Sequence, residues 1–179
     1  MVNFENLKLV ALGNPLLDMQ VRDGQDVLQK YGLKPNDAVL ASPEQLSIYE
    51  HLVENYQVTY VAGGAAQNTA RCAQYALPEG STAYLGCVGN DDLAQQLRAA
   101  NEREGLQSVY QVVNDTPTGS CAVVITGHDR SLCTNLGAAE KFDKSHLDSQ
   151  EAKAAIEAAK FFYIGGFFLT HGVESALIV

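Results

Sequence analysis

Residues 58–70 have the sequence VTYVAGGAAQNTA, and this stretch organises our prediction of the fold. A short β-branched and aromatic run, two adjacent glycines and an alanine-rich segment predict a strand, a tight turn and the start of a helix. Gly63 and Gly64 would let the backbone approach a small polar molecule, and the free N–H groups of the helix start favour oxygen-rich or anionic groups. Asn68 adds a side chain that can donate and accept. The stretch is therefore either a ligand-binding turn or an ordinary strand-to-helix connection.

Composition limits the possible functions. The chain of 179 residues has the length of one ordinary domain, and 46% of its residues are hydrophobic. It has no apolar run long enough to span a bilayer, and its first six residues lack the pattern of a secretory signal, which predicts a cytoplasmic protein. A net charge of -9, with only 12 Lys and Arg residues, argues against nucleic acid and favours a small-molecule ligand. The four cysteines form no C-x-x-C pair and the four histidines lie far apart, so we expect free thiols and no metal site.

The first strand is predicted at the apolar residues 7–12, which end at Gly13-Asn14-Pro15. Ligands of open α/β sheets collect at the carboxyl ends of strands, where Gly13 and Asn14 would lie. Asp18 follows four residues after Asn14, so both side chains could face one site across a turn. Alternatively, both are turn formers that bond their own backbone.

Strand and helix signals then alternate along the chain. The capping pattern at residues 42–45 predicts a helix with an apolar face formed by Leu46, Tyr49, Leu52, Val53 and Tyr56. Other helices are predicted at 26–31, at 65–76, from an Asn90 cap to Gly105, and at 148–159. Strands are predicted in the opening stretch, at 82–85 and, fully buried, at 161–164. This alternation of strands and helices predicts a parallel sheet with helices on its faces.

Three strand-like runs without an intervening helix, at 109–113, 119–126 and 131–136, predict an antiparallel insertion that forms a lid. Residues 127–129 would be its hairpin turn. Arg130 at the exit of this turn could clamp a phosphate, or it is a solvated turn cation. Phe167, after the strand at 161–164, is more typical of a core residue than of a ligand platform. The last segment predicts a helix near Val173 whose apolar face has nothing in this sequence to pack against, so we expect a fragment of a longer protein.

Several short motifs together resemble the N-terminal half of the ribokinase-like (PfkB) carbohydrate kinase family. They extend in order over the whole chain, and two of them, residues 14–18 and 62–64, indicate the branch that acts on adenosine over the general sugar kinases. The matching stretches are residues 13–18, 33–37, 62–68, 86–89, 117–121, 130–132 and 166–170.

The resemblance implies a fold and an activity. The fold would be a ribokinase-like α/β domain, a parallel sheet flanked by helices with a small antiparallel β lid, of which residues 1–179 form the N-terminal part, with lid strands at approximately 14–40 and 108–137. The reaction would transfer the γ-phosphoryl group of MgATP to the 5′-hydroxyl of adenosine, giving AMP, in a monomer of the cytoplasm and also the nucleus. Alternatives are a related nucleoside or sugar kinase, or a truncated module that only binds a nucleoside.

The resemblance also implies site residues. Asp18 would accept hydrogen bonds from the ribose hydroxyls, Arg130 would neutralise phosphate charge, and Phe167 would stack on the adenine. Gly63 and Gly64 would be the hinge of the lid. The other implied contacts are Asn14, Leu16, Leu40, Gly64, Ala65, Asn68, Cys121, Leu132 and Thr134.

This sequence departs from the family pattern at several positions. Ala65 stands where many relatives carry Ser, Ala38 where some carry Gln, and Leu77-Pro78 where sugar kinases have a small residue. The Gly-Ala-Gly-Asp motif, whose Asp would deprotonate the 5′-hydroxyl, does not occur in this sequence, so no catalytic Asp is assigned. We therefore expect these 179 residues alone to be inactive.

Overall fold

The computed structural model describes residues 4–179, which form two β-sheets and six α-helices. The strands are β1 (Leu9–Leu12), β2 (Leu16–Arg22), β3 (Ala38–Leu40), β4 (Thr59–Gly63), β5 (Thr82–Gly89), β6 (Gln107–Val113), β7 (Ser120–Thr126), β8 (Asp129–Asn135) and β9 (Phe161–Ile164). The helices are α1 (Gln25–Tyr31), α2 (Ile48–Asn55), α3 (Ala65–Ala76), α4 (Asp92–Arg103), α5 (Gln150–Ala158) and α6 (Val173–Ala176). Short 3₁₀ helices lie at Pro43–Gln45, Gly137–Lys141, Lys144–Asp148 and Gly166–Thr170.

The central sheet has the strand order β6-β5-β1-β9, and all its neighbouring strands are parallel. Every residue of β5 is buried, as expected for a strand that is covered on both faces. One face packs on α5 in a cluster that includes Val10, Leu85 and Ala155, and the other packs on α3 and α4 in a cluster that includes Tyr84 and Leu97. The predicted parallel sheet flanked by helices is confirmed.

The second sheet has the order β3-β8-β7-β2-β4 and mixes parallel with antiparallel pairs. Its β7–β8 hairpin, predicted from the sequence, turns at Gly127, where φ is 61°. Met19, Ala122 and Cys133 lie in a core cluster with residues of α1 and α2, which therefore cover one face of this sheet. The opposite face carries Asp18.

Two strands lie in a different sheet from the one expected. β4 was expected in the parallel sheet but pairs antiparallel with β2, and its exposed Thr59 and Tyr60 suit an edge strand with one solvated face. The run at 109–113, expected in the antiparallel insertion, belongs to β6 and pairs parallel with β5. β6 can pair parallel with β5 because α4, which lies between them in the chain, supplies the long crossover that two parallel neighbours require.

The helix expected from Ser42 is interrupted. Ser42 and Gln45 form the predicted capping box on the 3₁₀ helix Pro43–Gln45, but α2 begins only at Ile48. Leu46 therefore lies outside α2 and is exposed, and Val53 is exposed beside the buried Leu52. No helix within residues 4–179 is both long and apolar enough to cross a membrane.

Strands β5 and β9 also differ from expectation. β5 continues to Gly89 because Gly86–Gly89 pair in register with Tyr110–Val113 of β6. β9 was expected to be buried, yet Phe161 is 67% exposed. Within the described residues β9 pairs with β1 alone, so it is an edge strand.

A buried polar network joins the start of α3 to α4 and β6. Gln67 donates from Nε2 to the carbonyl oxygen of Gly63 at 3.0 Å and accepts a hydrogen bond from the Tyr110 hydroxyl. Asn101 Nδ2 donates to the Tyr110 hydroxyl and to Ser108 Oγ, each at 2.9 Å. The network thereby fixes the backbone at the end of β4.

We expect Gln67→Leu to lower the free energy of unfolding by about 1–3 kcal/mol, because it leaves the Gly63 carbonyl and the Tyr110 hydroxyl buried without their partner. Urea denaturation measures the change. Gln95→Leu, on the exposed side of α4, is the matched control and should stay within about 0.5 kcal/mol of the unsubstituted protein. Equal effects of the two substitutions would contradict the structural role of Gln67.

Candidate functional site

A row of side chains crosses the second sheet. Asp18 on β2 pairs in register with Cys121 on β7, Cys121 with Thr134 on β8, and Thr134 with Leu40 on β3. Residues paired in register share a face of a sheet, so the structure brings these four predicted site residues together. We call them the Asp18 row. The predicted residues Leu16 and Leu132 lie two positions from Asp18 and Thr134 on the same strands, and therefore on the same face.

Asp18 is buried, and its carboxylate lies against Gly63. A Cβ atom at position 63 would overlap Asp18 Oδ1, so only glycine leaves the carboxylate in place. The sequence left open whether Asp18 belongs to a turn. The structure shows that it belongs to β2, where the pairing with β4 brings it close to Gly63.

Arg130 reaches Asp18 from the far end of β8. Its Nη2 donates to Asp18 Oδ2 at 2.9 Å, and the side chains are 48% and 11% exposed, respectively. Burial raises the pKa of the Asp18 carboxyl group, and the positive charge and hydrogen bond of Arg130 oppose that rise. Arg130 is therefore held by a carboxylate and is not a free turn cation, and its expected role at a phosphate stays a prediction.

Asn14 and Gly64 meet at the start of α3. Gly64 has a φ of 92°, and a Cβ atom there would overlap the carbonyl oxygen of Asn14, so both its conformation and its surroundings require glycine. Asn14 is buried, and its Oδ1 accepts a hydrogen bond from Nε2 of His171 at 3.0 Å. Asn14 Nδ2 is buried and makes no hydrogen bond among the described residues.

His171 is a residue that the sequence analysis missed. Its ring lies 5.1 Å from the ring of Phe168, and burial lowers the pKa of its imidazole. The contact holds the Asn14 amide in one orientation, with Nδ2 left to donate to another group. A lone histidine 157 residues from its partner gives no local signal, which is why sequence reasoning assigned it nothing.

Asn68 and Ala65 lie on the exposed side of the first turns of α3. The amide oxygen of Asn68 accepts a hydrogen bond from Arg71 Nη1 at 3.2 Å, and the same nitrogen donates to the Ala62 carbonyl at 2.7 Å. Asn68 therefore contacts Arg71, and its expected contact with a ribose stays a prediction.

Phe167 lies in the 3₁₀ helix Gly166–Thr170 and is 78% exposed. The interpretation of Phe167 as a core residue is therefore wrong. The neighbouring Phe168 is the residue that lies in the core, where its ring packs on Phe142. An exposed ring beside Gly166 is free to stack on a planar ligand.

Cys121 supplies an apolar surface. Burial raises the pKa of its thiol to about 12, so the sulfur stays protonated at neutral pH and is no nucleophile. The hydroxyl of Thr134 donates to it at 3.2 Å.

The row thus combines one buried carboxylate with uncharged walls, an arrangement that suits a flat, partly apolar ligand carrying hydroxyl groups. Leu40 at one end of the row is exposed, and Asp18 lines neither of two cavities of about 460 and 250 Å³ elsewhere in the described residues. Residues 4–179 contain no group of three or more His, Cys, Asp or Glu that could hold a metal ion.

Comparisons with known proteins identify the relatives of this chain. A model of the pfkB family carbohydrate kinases matches residues 26–178. Adenosine kinase of Schizophyllum commune is 59% identical over 170 residues, which make up 95% of this chain and 49% of that protein. Adenosine kinase of Saccharomyces cerevisiae is 50% identical over 166 residues, 90% of this chain and 48% of that protein. The chain spans about half the length of the curated relatives it matches.

Solved structures show the same similarity. The crystal structure of Anopheles gambiae adenosine kinase in complex with a di(adenosine-5) tetraphosphate has a TM-score of 0.90 and 44% identity, over 95% of this chain and 53% of that one. Adenosine kinase from Schistosoma mansoni, in complex with adenosine in an occluded loop conformation, has a TM-score of 0.89 and 28% identity, over 99% of this chain and 51% of that one.

We expect Arg130→Gln to raise the pKa of Asp18 further, because burial then acts on the carboxylate without an opposing charge. A folded-state pKa above the unfolded value means that stability falls as pH rises through that range, and the loss should be larger in this variant. Carbon-13 NMR titration of the Asp18 carboxyl carbon measures the pKa. Arg22→Gln removes a cation four residues along the same strand face and should leave the pKa unchanged. An unchanged pKa in Arg130→Gln would contradict the ion pair.

Proposed function

This chain belongs to the pfkB family of carbohydrate kinases, and on that premise we propose that the protein carrying it is an adenosine kinase. It transfers the γ-phosphoryl group of MgATP to the 5′-hydroxyl of adenosine, giving AMP and ADP in purine salvage. The observation that carries the proposal is the buried carboxylate of Asp18 beside Gly63, in a chain that is 59% identical to an adenosine kinase.

Asp18 is the residue that holds the ribose. An ionised carboxylate has two oxygens, each able to accept a hydrogen bond, and vicinal hydroxyl groups supply two donors at matching spacing. Asn14, oriented by His171, donates from Nδ2 at the same end of the site. A buried carboxylate left without these donors costs free energy, so the site discriminates against ligands that lack them.

The adenine lies against the apolar members of the sheet face. Cys121 and Thr134 form its floor, and Phe167 stacks on the ring from the 3₁₀ helix at Gly166–Thr170. Leu40, which is 66% exposed, becomes covered when the ligand binds. Leu16 and Leu132 complete the wall.

The five-stranded sheet acts as the lid, with Gly63 and Gly64 as its hinge, because β4 leads from this sheet directly into α3 on the central sheet. Closure excludes water, which both strengthens the charge interactions and limits transfer of the phosphoryl group to water. Arg130 then neutralises charge on the transferred group. Phosphoryl transfer depends mostly on such positioning and charge stabilisation.

The remaining parts of the reaction are not assigned to this chain. Its sequence contains no Gly-Ala-Gly-Asp motif, so we name no residue here as the base that takes the 5′-hydroxyl proton. ATP enters as its magnesium complex, and the metal neutralises charge on the phosphates when it is bound. For the intact protein we further propose a monomer that acts in the cytoplasm and the nucleus.

A related kinase for another nucleoside or sugar is the second candidate, favoured only by the breadth of the pfkB family. Turnover of adenosine, inosine and ribose by the full-length protein with MgATP separates the two candidates. We expect AMP formation from adenosine to exceed phosphorylation of ribose by at least about tenfold in kcat/KM, because ribose lacks the contacts to the base and each lost site contact costs about 1–3 kcal/mol. The comparison with inosine measures the contribution of the 6-amino group. Preferred turnover of ribose would refute the adenosine assignment.

We expect Asp18→Ala to weaken adenosine binding by about 10- to 100-fold, because it removes hydrogen bonds to a charged acceptor. Binding of 2′-deoxyadenosine, which lacks one hydroxyl group of the pair, should be weak in the unsubstituted protein and fall much less on substitution. Isothermal titration calorimetry measures both ligands. Glu50→Ala, on the exposed surface of α2, is the control and should change neither affinity. An equal loss for both ligands in Asp18→Ala would place the carboxylate away from the 2′-hydroxyl.

A further inference from the structure

We propose that Asp18 keeps Arg130 from acting on ATP until a nucleoside binds. The Arg130 guanidinium becomes available to the phosphates only once ribose hydroxyls have replaced it as the hydrogen-bond donor to Asp18. The inference rests on the proposed function, because it assumes that Asp18 receives the ribose and that Arg130 serves the phosphates. It assigns Arg130 a second role, as the residue that couples occupancy of the nucleoside site to phosphoryl transfer.

The geometry of the pair carries the inference. Arg130 pairs with Ile125 in the β7–β8 hairpin. It lies four residues along β8 from Thr134, which pairs with Cys121, the neighbour of Asp18 on β7. Its side chain extends back along the sheet face to place Nη2 2.9 Å from Asp18 Oδ2. The guanidinium therefore lies on the oxygen that the proposed ribose contact requires.

The two partners differ in exposure, which makes the contact exchangeable. Asp18 is 11% exposed at its side chain and stays in place against Gly63, whereas Arg130 is 48% exposed and can return to solvent at small cost. Among the described residues, the Arg130 side chain makes this single hydrogen bond, so releasing it breaks one contact. Two ribose hydroxyls can then occupy both carboxylate oxygens.

The exchange has a consequence for ATP. A guanidinium paired with a carboxylate has little net charge to offer a γ-phosphoryl group. Without a nucleoside, attack of water on the γ-phosphorus, which breaks the bond to the bridging oxygen and releases ADP and inorganic phosphate, would then lack the help of Arg130. With adenosine bound, Arg130 is free, and the attacking oxygen is the 5′-hydroxyl, whose proton leaves to a base.

One quantity governs both effects. If Arg130 is free of Asp18 in a fraction f of the nucleoside-free molecules, the apparent association constant for adenosine is multiplied by f. The rate of Arg130-dependent ATP hydrolysis is multiplied by the same fraction. A half-exposed ion pair corresponds to a factor 1/f of about 2 to 10. Removing Arg130 should therefore tighten adenosine binding by the same factor by which removing the charge of Asp18 raises nucleoside-free hydrolysis.

The first measurement is calorimetry of adenosine binding to the full-length protein without ATP. All variants are measured at the same pH. Arg130→Gln should lower the Kd about two- to tenfold, whereas Arg130→Lys, which keeps a cation at that position, should bind like the unsubstituted protein. Arg22→Gln, which removes a cation from the same strand face as Asp18, should also leave the Kd unchanged. A Kd in Arg130→Gln that is equal to or higher than that of the unsubstituted protein overturns the proposal.

The second measurement is release of inorganic phosphate from MgATP without a nucleoside. Asp18→Asn should raise this rate about two- to tenfold while weakening adenosine binding, and the double variant Asp18→Asn with Arg130→Gln should lose the gain. A general loss of structure lowers both activities and cannot produce a rise. No rise in Asp18→Asn, in protein whose thermal unfolding is unchanged, overturns the coupling.

A measurement on the unsubstituted protein does not depend on how the variants fold. Adenosine alone should shift the nitrogen-15 NMR signal of the Arg130 guanidinium, and ribose-free adenine should not. An Arg130 signal unmoved by saturating adenosine overturns the exchange. Failure of the protein to form AMP from adenosine would instead refute the proposed function itself, so the two failures are distinguishable.

Discussion

The close approach of the β4–α3 turn to β2 is the constraint on which the rest of the site depends. Gly63 lies against the Asp18 carboxylate, and Gly64 lies against the Asn14 carbonyl with a φ that favours glycine. A single methyl group at either position would separate the two segments. The missing Cβ atoms therefore let a charged group of one sheet lie beside the backbone that leads into the other.

Side chains of α3 donate hydrogen bonds to the backbone of this turn. Gln67 and Arg71 donate to the carbonyl oxygens of Gly63 and Ala62, the last two residues of β4. Gln67 is tied to β6 through Tyr110, and Arg71 is tied to the end of α4 through Glu104. The carbonyl oxygens at the end of β4 thus have hydrogen-bond partners on α3, which gives the turn between the two sheets a defined conformation in this structure.

The parts of the fold that follow local rules could be predicted from the sequence. α1 with its Gly32 stop, α3 after the paired glycines, and the β7–β8 hairpin all depend on residues close together in the chain. Strand partners depend on distant residues, so the sheets of β4 and β6 were assigned wrongly. The same limit applies to the candidate site: Asp18 and Arg130 were each singled out as candidates, but their pairing across 112 residues carries no local signal. The structural role of Gln67 could not be predicted for another reason. An amide side chain at the start of an alanine-rich helix is typical of an exposed position, whereas Gln67 is buried.

Two arginines of this chain illustrate how the geometry of an ion pair indicates its role. Arg71 uses all three guanidinium nitrogens, two on Glu104 and one on the Ala62 and Asn68 oxygens, and it lowers the pKa of Glu104. Four of its five N–H groups are engaged, and such a fork suits a fixed structural contact. Arg130 donates one hydrogen bond to a carboxylate whose burial opposes its charge. A buried carboxylate paired in this way adds little to stability, and apolar residues in its place would often be as stable. Its presence in an otherwise uncharged row is therefore better explained by a ligand that needs its oxygens than by folding.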